Sequence, residues 1–203
     1  MKRIFVITIL IIAVSPFAFA QTEDKKSEQD KKSKHEKMQT ETKSAETSSK
    51  STGLILQADE GERMMRRWGL RMTIKIDPVN GGSKRLLVGT EDLPPGKSIP
   101  VHKHSHCDEV LILLQGKGTA ILGEKRREVS AGAIIFIPEE EWVGLENTGQ
   151  ETIRIVFIFS ELGFDQYLRA TSVPDGEEVK PFTPKELAEV RQKFKGVITF
   201  KDE

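Results

Sequence analysis

From Gly53 onward the sequence is a series of short apolar segments separated by turn signals. Two of the segments, at residues 110–114 and 153–159, are apolar at nearly every position. Short strands at regular spacing are typical of a β-sandwich or barrel. Strands that are apolar on both faces are expected where one face lines an interior and the other meets a second sheet. The pattern therefore predicts an all-β fold, built from the segments RMTIKI, KRLLVGT, EVLILLQ, TAILG, AIIFIP and TIRIVFIF.

The C-terminal tail has a different pattern, TPKELAEVRQKFKG. Thr183 is placed to cap a helix, Pro184 suits its first position and Glu186 has capping-box spacing, while Gly196 is a stop signal. The tail therefore predicts one short α-helix on the surface.

The N-terminus has the features of a secretory signal peptide. Lys2 and Arg3 precede the apolar run IFVITILIIAV, and Ala18 and Ala20 are small residues placed for cleavage after Ala20. The rival interpretation is a membrane anchor, but the run is shorter than the roughly 20 residues that span a bilayer. We expect a periplasmic or secreted protein with no stable membrane insertion after cleavage.

Residues 21–52 combine dense mixed charge with no aromatic residue, and Met38 is their only large apolar side chain. Such a segment cannot bury enough surface to offset the entropy of ordering, so we expect a disordered tether that the fold does not need. The predicted organisation is a signal peptide at 1–20, the tether at 21–52, a barrel at 53–165 and a C-terminal extension with one helix at 166–203.

Composition limits the number of cores and the kind of partner. With 203 residues, 37% of them hydrophobic, the chain can bury one substantial core. Its 31 basic and 31 acidic residues balance, and removal of the leader takes away only two of the basic ones. That balance gives no electrostatic reason to expect nucleic acid. A homodimer is left open by the sequence.

Three of the four histidines lie within five positions, in HKHSH. If residues 100–104 form a strand, His102 and His104 project from one face. Glu109 has the opposite parity, but a turn through SHCD would let it begin an antiparallel neighbouring strand, with His106 carried outward. Two imidazoles and one carboxylate suit Fe, Mn, Ni, Co, Zn or Cu. The alternative is a cluster of histidines that hydrogen-bond one another in a polar pocket.

The spacing of glycines and candidate ligands continues on both sides of the histidines, at Gly96, His102, His104, Glu109 and Gly116. This spacing matches the first motif of the cupin superfamily in full, and Gly132 and Pro138 begin the second. The chain resembles a small single-domain cupin over roughly residues 53–165. The resemblance implies a double-stranded β-helix, or jelly-roll barrel, whose centre holds a divalent transition metal on His102, His104 and Glu109.

The second motif departs from the family pattern, which expects glycine, histidine and asparagine where this chain has Glu140, Val143 and Asn147. The missing histidine would be the fourth ligand, so the centre is either a three-ligand site or a decayed one. We expect Val143 to point into the barrel as an apolar wall. The carboxylates of residues 139–141 are expected to be exposed.

Three functions are consistent with these residues. The first is a protein that binds a small molecule, such as a sugar or an organic acid, at a metal ion (Fe, Mn, Ni or Zn). The second is a metal-dependent dioxygenase-like enzyme or isomerase. The third is a structural or interaction module. We favour the first, because the sequence offers no general acid or base near the ligands. Cys107 is expected to be a buried small hydrophobe or a turn residue.

Overall fold

A computed structural model describes residues 53–201, which form two antiparallel β-sheets and two short helices. The signal peptide and tether predicted for residues 1–52 lie outside the described residues. The strands are β1 (Glu62–Arg66), β2 (Arg71–Ile76), β3 (Leu87–Leu93), β4 (Ser98–His104), β5 (Glu109–Gln115), β6 (Lys117–Leu122), β7 (Lys125–Ser130), β8 (Ile134–Ile137), β9 (Val143–Glu146), β10 (Ile153–Phe159), β11 (Ser172–Pro174) and β12 (Ile198–Phe200). The helices are α1 (Phe164–Ala170) and α2 (Pro184–Lys193).

One sheet has seven strands in the order β11-β1-β2-β3-β10-β5-β8, and the other has five in the order β12-β4-β9-β6-β7. The all-β jelly-roll prediction is confirmed. Three predicted segments coincide closely with β2, β5 and β10.

The core lies between the two sheets. Along β10 the burial pattern alternates, so that Ile153, Ile155, Phe157 and Phe159 face inward. Fully burying each such side chain contributes about 1.5–3 kcal/mol. Because strand β10 lies between β3 and β5, these side chains occupy the middle of the larger sheet.

The structure contains two helices in residues 53–201, where the sequence predicted one. Helix α2 begins as expected: Thr183 caps it and forms a capping box with Glu186. It ends at Lys193, with Phe194 as the C-cap, before the predicted stop at Gly196. Helix α1 was missed because it has only seven residues and its N-cap is Gly163, which offers no side-chain cap.

Strands β11 and β12, in the predicted C-terminal extension, are both incorporated into the sheets. Strand β11 pairs with β1 in the larger sheet, and β12 pairs with β4 in the smaller one. In the second pair, Ile198 lies opposite His104 and Phe200 lies opposite His102. Residues 198–200 therefore lie directly beside the histidine strand. In the described part of the chain, neither helix has the length and apolar character needed to cross a bilayer.

Candidate metal centre

Strand β4 carries both histidines at its C-terminal end. Its burial alternates, so that His102 and His104 are buried while Lys103 between them is half-exposed. The expected shared face is therefore present, and it is the face that points between the sheets.

The predicted turn follows β4 and brings Glu109 to the histidines by a different route from the one expected. The backbone N–H of Asp108 donates to Ser160 Oγ at 3.0 Å, and the Ser160 N–H donates to the Asp108 carbonyl at 3.1 Å. The turn is thus fixed to the end of β10. His106 is exposed within it, as predicted.

The prediction that Glu109 begins a neighbour of the histidine strand is wrong. Strand β5 pairs with β8 and β10, because both edges of β4 are already occupied by β9 and β12. The turn instead crosses from one sheet to the other. Glu109 therefore faces His102 and His104 across the interior.

The three side chains converge on a common point. The distance from His102 Nε2 to His104 Nε2 is 3.1 Å, and the distance from His104 Nε2 to Glu109 Oε2 is 3.6 Å. One ligand atom from each residue lies within 4.8 Å of the other two. Ligands bound about 2.1 Å from one ion are separated by about 3–3.5 Å, which is close to this spacing.

The orientation of each imidazole is fixed by its surroundings. His102 Nδ1 lies 2.8 Å from the Pro100 carbonyl, so it carries the proton and leaves the lone pair on Nε2. The ring of His104 packs edge-on against Phe159 and Phe164, with centroid distances of 4.9 and 4.6 Å.

Burial keeps both histidines in the neutral form that binds metals. It lowers the pKa of His102 to about 4, against the effect of the Pro100 carbonyl. It also lowers the pKa of His104 well below its usual range, and the neighbouring His102 adds to this effect. Burial raises the pKa of Glu109 to about 8, with a further contribution from Glu91.

The buried carboxyl group of Glu109 would be stabilised by a bound cation. Its Oε2 is buried and has no hydrogen-bond partner among residues 53–201. Desolvating a carboxylate without a donor is costly, and a cation at this point would remove the cost. Two neutral imidazoles and an unpartnered carboxylate oxygen therefore fit a divalent transition-metal ion.

Val143 lies where the resemblance places a fourth ligand. In the register of β4 and β9 it is directly opposite His102, and it is 1% exposed. It therefore faces the interior, as predicted, and adds an apolar wall to the centre.

The acidic residues before Val143 do not join the cluster in the described structure. Glu139 and Glu140 are exposed, as expected, and Glu141 is half-buried. Glu140 has a φ of 63°, the left-handed conformation that glycine adopts readily, and it forms an ion pair with Lys103. The backbone thus keeps the shape that the expected glycine would take.

A cavity of about 50 Å³ extends from the candidate ligands and is lined by His102, Glu109 and Val143. Two further charged residues line it, Arg66 and Glu91, and both are buried. Sequence reasoning missed them because neither belongs to a motif. The signal for Glu91 was its parity, because it shares the inward face of β3 with Leu87, Gly89 and Leu93.

Cys107 packs half-buried against the core, and burial raises the pKa of its thiol to about 12. It is thus a turn residue with a small apolar contact, in keeping with the prediction.

A family profile for the cupin domain matches residues 89–159, which include all three candidate ligands. The oxalate-binding protein of Thermotoga maritima is 30% identical over 115 residues, which cover 54% of this chain and 95% of that protein. This chain belongs to the cupin superfamily.

Other relatives of this cupin match more narrowly. Auxin-binding protein 1 of Arabidopsis thaliana is 31% identical over 103 residues, which cover 46% of this chain and 52% of that protein. The match thus spans about half the length of that relative. Among solved structures, KdgF from Halomonas sp. has a TM-score of 0.50 and 18% identity, over 57% of this chain and 99% of that one. The structural likeness shows the fold alone.

Proposed function

We propose that this cupin binds a small molecule at a divalent transition-metal ion held by His102, His104 and Glu109. The observation that carries the proposal is the convergence of three buried donors, one of them a carboxylate oxygen with no hydrogen-bond partner in the described residues. A bound ion would supply a Lewis-acid site for an oxygen atom of the ligand. The cavity beside the centre provides the space for that ligand.

The relatives support the same class of function. One is named as an oxalate-binding protein and another as an auxin-binding protein, so small-molecule binding is a use to which related chains are put. The N-terminal leader pattern supports a periplasmic or secreted location.

A metal-dependent enzyme is the second candidate, and Glu91 is the observation that favours it. Its carboxyl group lines the same cavity as Glu109. Burial raises the pKa of Glu91, against the effect of Arg66, and a buried carboxyl group with a raised pKa is a candidate general acid or base. The sequence had offered no such group. Dioxygenase-like or isomerase chemistry therefore stays a proposal for this site.

The proposal is tested by measuring metal content in protein purified without chelators. We expect about one transition-metal ion per chain, and His104→Ala should abolish it because the remaining two ligands cannot hold the ion. His106→Ala is the matched control, because His106 is exposed two residues further along the same turn. A metal-free wild type, or an ion retained by His104→Ala, would refute the proposed centre.

Binding and catalysis are separated by following the fate of a bound ligand. If the protein only binds, mass spectrometry recovers the ligand unchanged and no oxygen is consumed. If Glu91 transfers a proton, Glu91→Gln should keep the metal and the ligand while turnover is lost.

A further inference from the structure

Part of the cavity wall comes from outside the family match at residues 89–159. Strand β1 supplies Arg66, and Trp68 follows in the connection to β2. Helix α1 and strand β12 supply Phe164 and Phe200. These side chains lie outside the residues that the family profile matches, so they are a natural place to look for what selects the ligand.

Arg66 is a buried cation with an unused donor. It is 4% exposed, and its Nε has no hydrogen-bond partner among the described residues. Its guanidinium carbon lies 4.0 Å from the centroid of the Trp68 ring and 5.5 Å from that of the Tyr167 ring. The Arg66 side chain also forms a hydrogen bond with Tyr167. Its Nη1 approaches Met72 Sδ at 3.9 Å, a weak acceptor. Aromatic stacking holds the guanidinium plane but does not satisfy the Nε–H group.

Glu91 compensates Arg66 only in part. The two lie close enough for Glu91 to be the main negative charge acting on Arg66, yet no ion pair within 4 Å joins them in the described structure. With a divalent ion in place and both carboxyl groups ionised, the ion and Arg66 would carry three positive charges against the two negative charges of Glu91 and Glu109. The cavity would then have one positive charge in excess, which favours a ligand with a single negative charge.

The size of the cavity limits the ligand further. A volume of about 50 Å³ holds a few water-sized groups, so a ligand has about four to six non-hydrogen atoms. Short-chain acids fall within that range. The rest of the wall is aromatic or aliphatic, which suits a short carbon body.

We propose that the ligand is a small monocarboxylate, of about two to four carbon atoms, whose carboxylate pairs with Arg66. The guanidinium presents parallel N–H donors that match a carboxylate, and Nε–H is one of them. The identity of the ligand class rests on the proposed function, since the metal ion supplies part of the positive charge.

The first test compares two ligands on one protein. Full-length protein loaded with Zn²⁺ is titrated calorimetrically with acetate and with acetamide, which has the same shape and no charge. We expect acetate to bind about tenfold or more tightly, because a charge-assisted pair replaces a neutral hydrogen bond. Equal affinities, or no binding of acetate, would overturn the inference.

The second test changes the arginine. Arg66→Met should weaken acetate binding by about tenfold to a hundredfold while zinc content stays at the wild-type level. Arg63→Met is the matched control on the same strand, because Arg63 is exposed and pairs with Asp175 at the surface. Retention of wild-type acetate affinity by Arg66→Met would also overturn the inference. If that variant does not fold, Arg66→Lys, which keeps the charge and removes the Nε–H donor, is titrated in its place, with a weakening of acetate binding again expected.

The two proposals fail in different ways. If zinc binds and acetate does not, the carboxylate assignment is wrong and the metal centre stands. If zinc does not bind, the metal centre is wrong, and the same titrations are run on the metal-free protein. Acetate binding that depends on Arg66 would then leave the carboxylate assignment standing, and its absence would refute both.

Discussion

The two halves of the cupin pattern border one cavity but differ in what they do for the protein. The first half brings three ionisable side chains into the interior and shifts the pKa of each. The second half contributes Val143, which is apolar, and Asn147, whose hydrogen bonds are made. The first half therefore forms the candidate metal site and destabilises the metal-free fold. The second half stabilises the fold.

Asn147 shows how the second half stabilises the fold. Its Nδ2 donates to the carbonyls of Leu93 and Glu151 at 2.7 and 2.8 Å, and its Oδ1 accepts from the Gly149 N–H at 3.0 Å. These bonds connect the end of β3 to the loop before β10. This half has Val143 where the resemblance places a fourth ligand, and it has the asparagine that organises its loop.

The largest expected effect concerns Glu109 in protein freed of metal by a chelator. Its pKa is raised to about 8 in the folded state, so between about pH 5 and 8 the folded protein holds a proton that the unfolded chain releases. Stability should therefore fall as the pH rises through this window. We expect Glu109→Gln to be more stable than the wild type by roughly 3–5 kcal/mol above pH 8, and equally stable below about pH 4.5.

Urea denaturation across this pH range measures the difference. Comparing the two proteins cancels the opposite effect of the two histidines, whose lowered pKa values reduce stability as the pH falls below their usual range. A constant difference between the proteins at every pH would mean that Glu109 is not buried as a carboxylate.

The next effect tests the stabilising half. Asn147→Ala removes three hydrogen bonds and leaves two carbonyls and one N–H group with reduced partners, so we expect a loss of about 3 kcal/mol. Thr148→Ala is the control, because Thr148 is exposed in the same loop. Denaturant midpoints measure both. If the two variants lost equally little stability, the conformation of the loop would not depend on Asn147.

A smaller effect is expected from placing a histidine where the resemblance puts a fourth ligand. Val143→His places an imidazole opposite His102, so we expect the affinity for Mn, Fe, Ni and Zn to rise by about tenfold or more. Isothermal titration measures the change. Val101→His is the control, because Val101 has the outward parity on β4. Unchanged affinity in Val143→His would show that residue 143 does not reach the ion.

The sequence was most informative where a local pattern determines structure. Two-residue parity placed His102 and His104 on one face, and capping chemistry located helix α2. It failed where the outcome depends on pairing between distant segments. Strand β12 takes the edge of β4 across about ninety residues of sequence, and no local signal reveals that this displaces β5 to the other sheet. Arg66 was missed for the same reason, since its burial depends on the elements that enclose it.

The smallest effect concerns the backbone at Glu140, which keeps a glycine conformation without a glycine. Glycine at an ordinary position destabilises a fold through the entropy of the unfolded chain. At φ 63° that cost is offset, because the left-handed conformation no longer strains a side chain.

Glu139 is exposed next to Glu140 and serves as the control, because among the described residues other than glycine only Glu140 has a positive φ. We therefore expect Glu139→Gly to lower the melting temperature by about 3 °C and Glu140→Gly to change it by less than about half as much, even though it loses the Lys103 ion pair. Calorimetry on both variants tests this. An equal or larger fall in melting temperature for Glu140→Gly would show that the ion pair with Lys103 contributes more to the stability of this turn than the backbone conformation does.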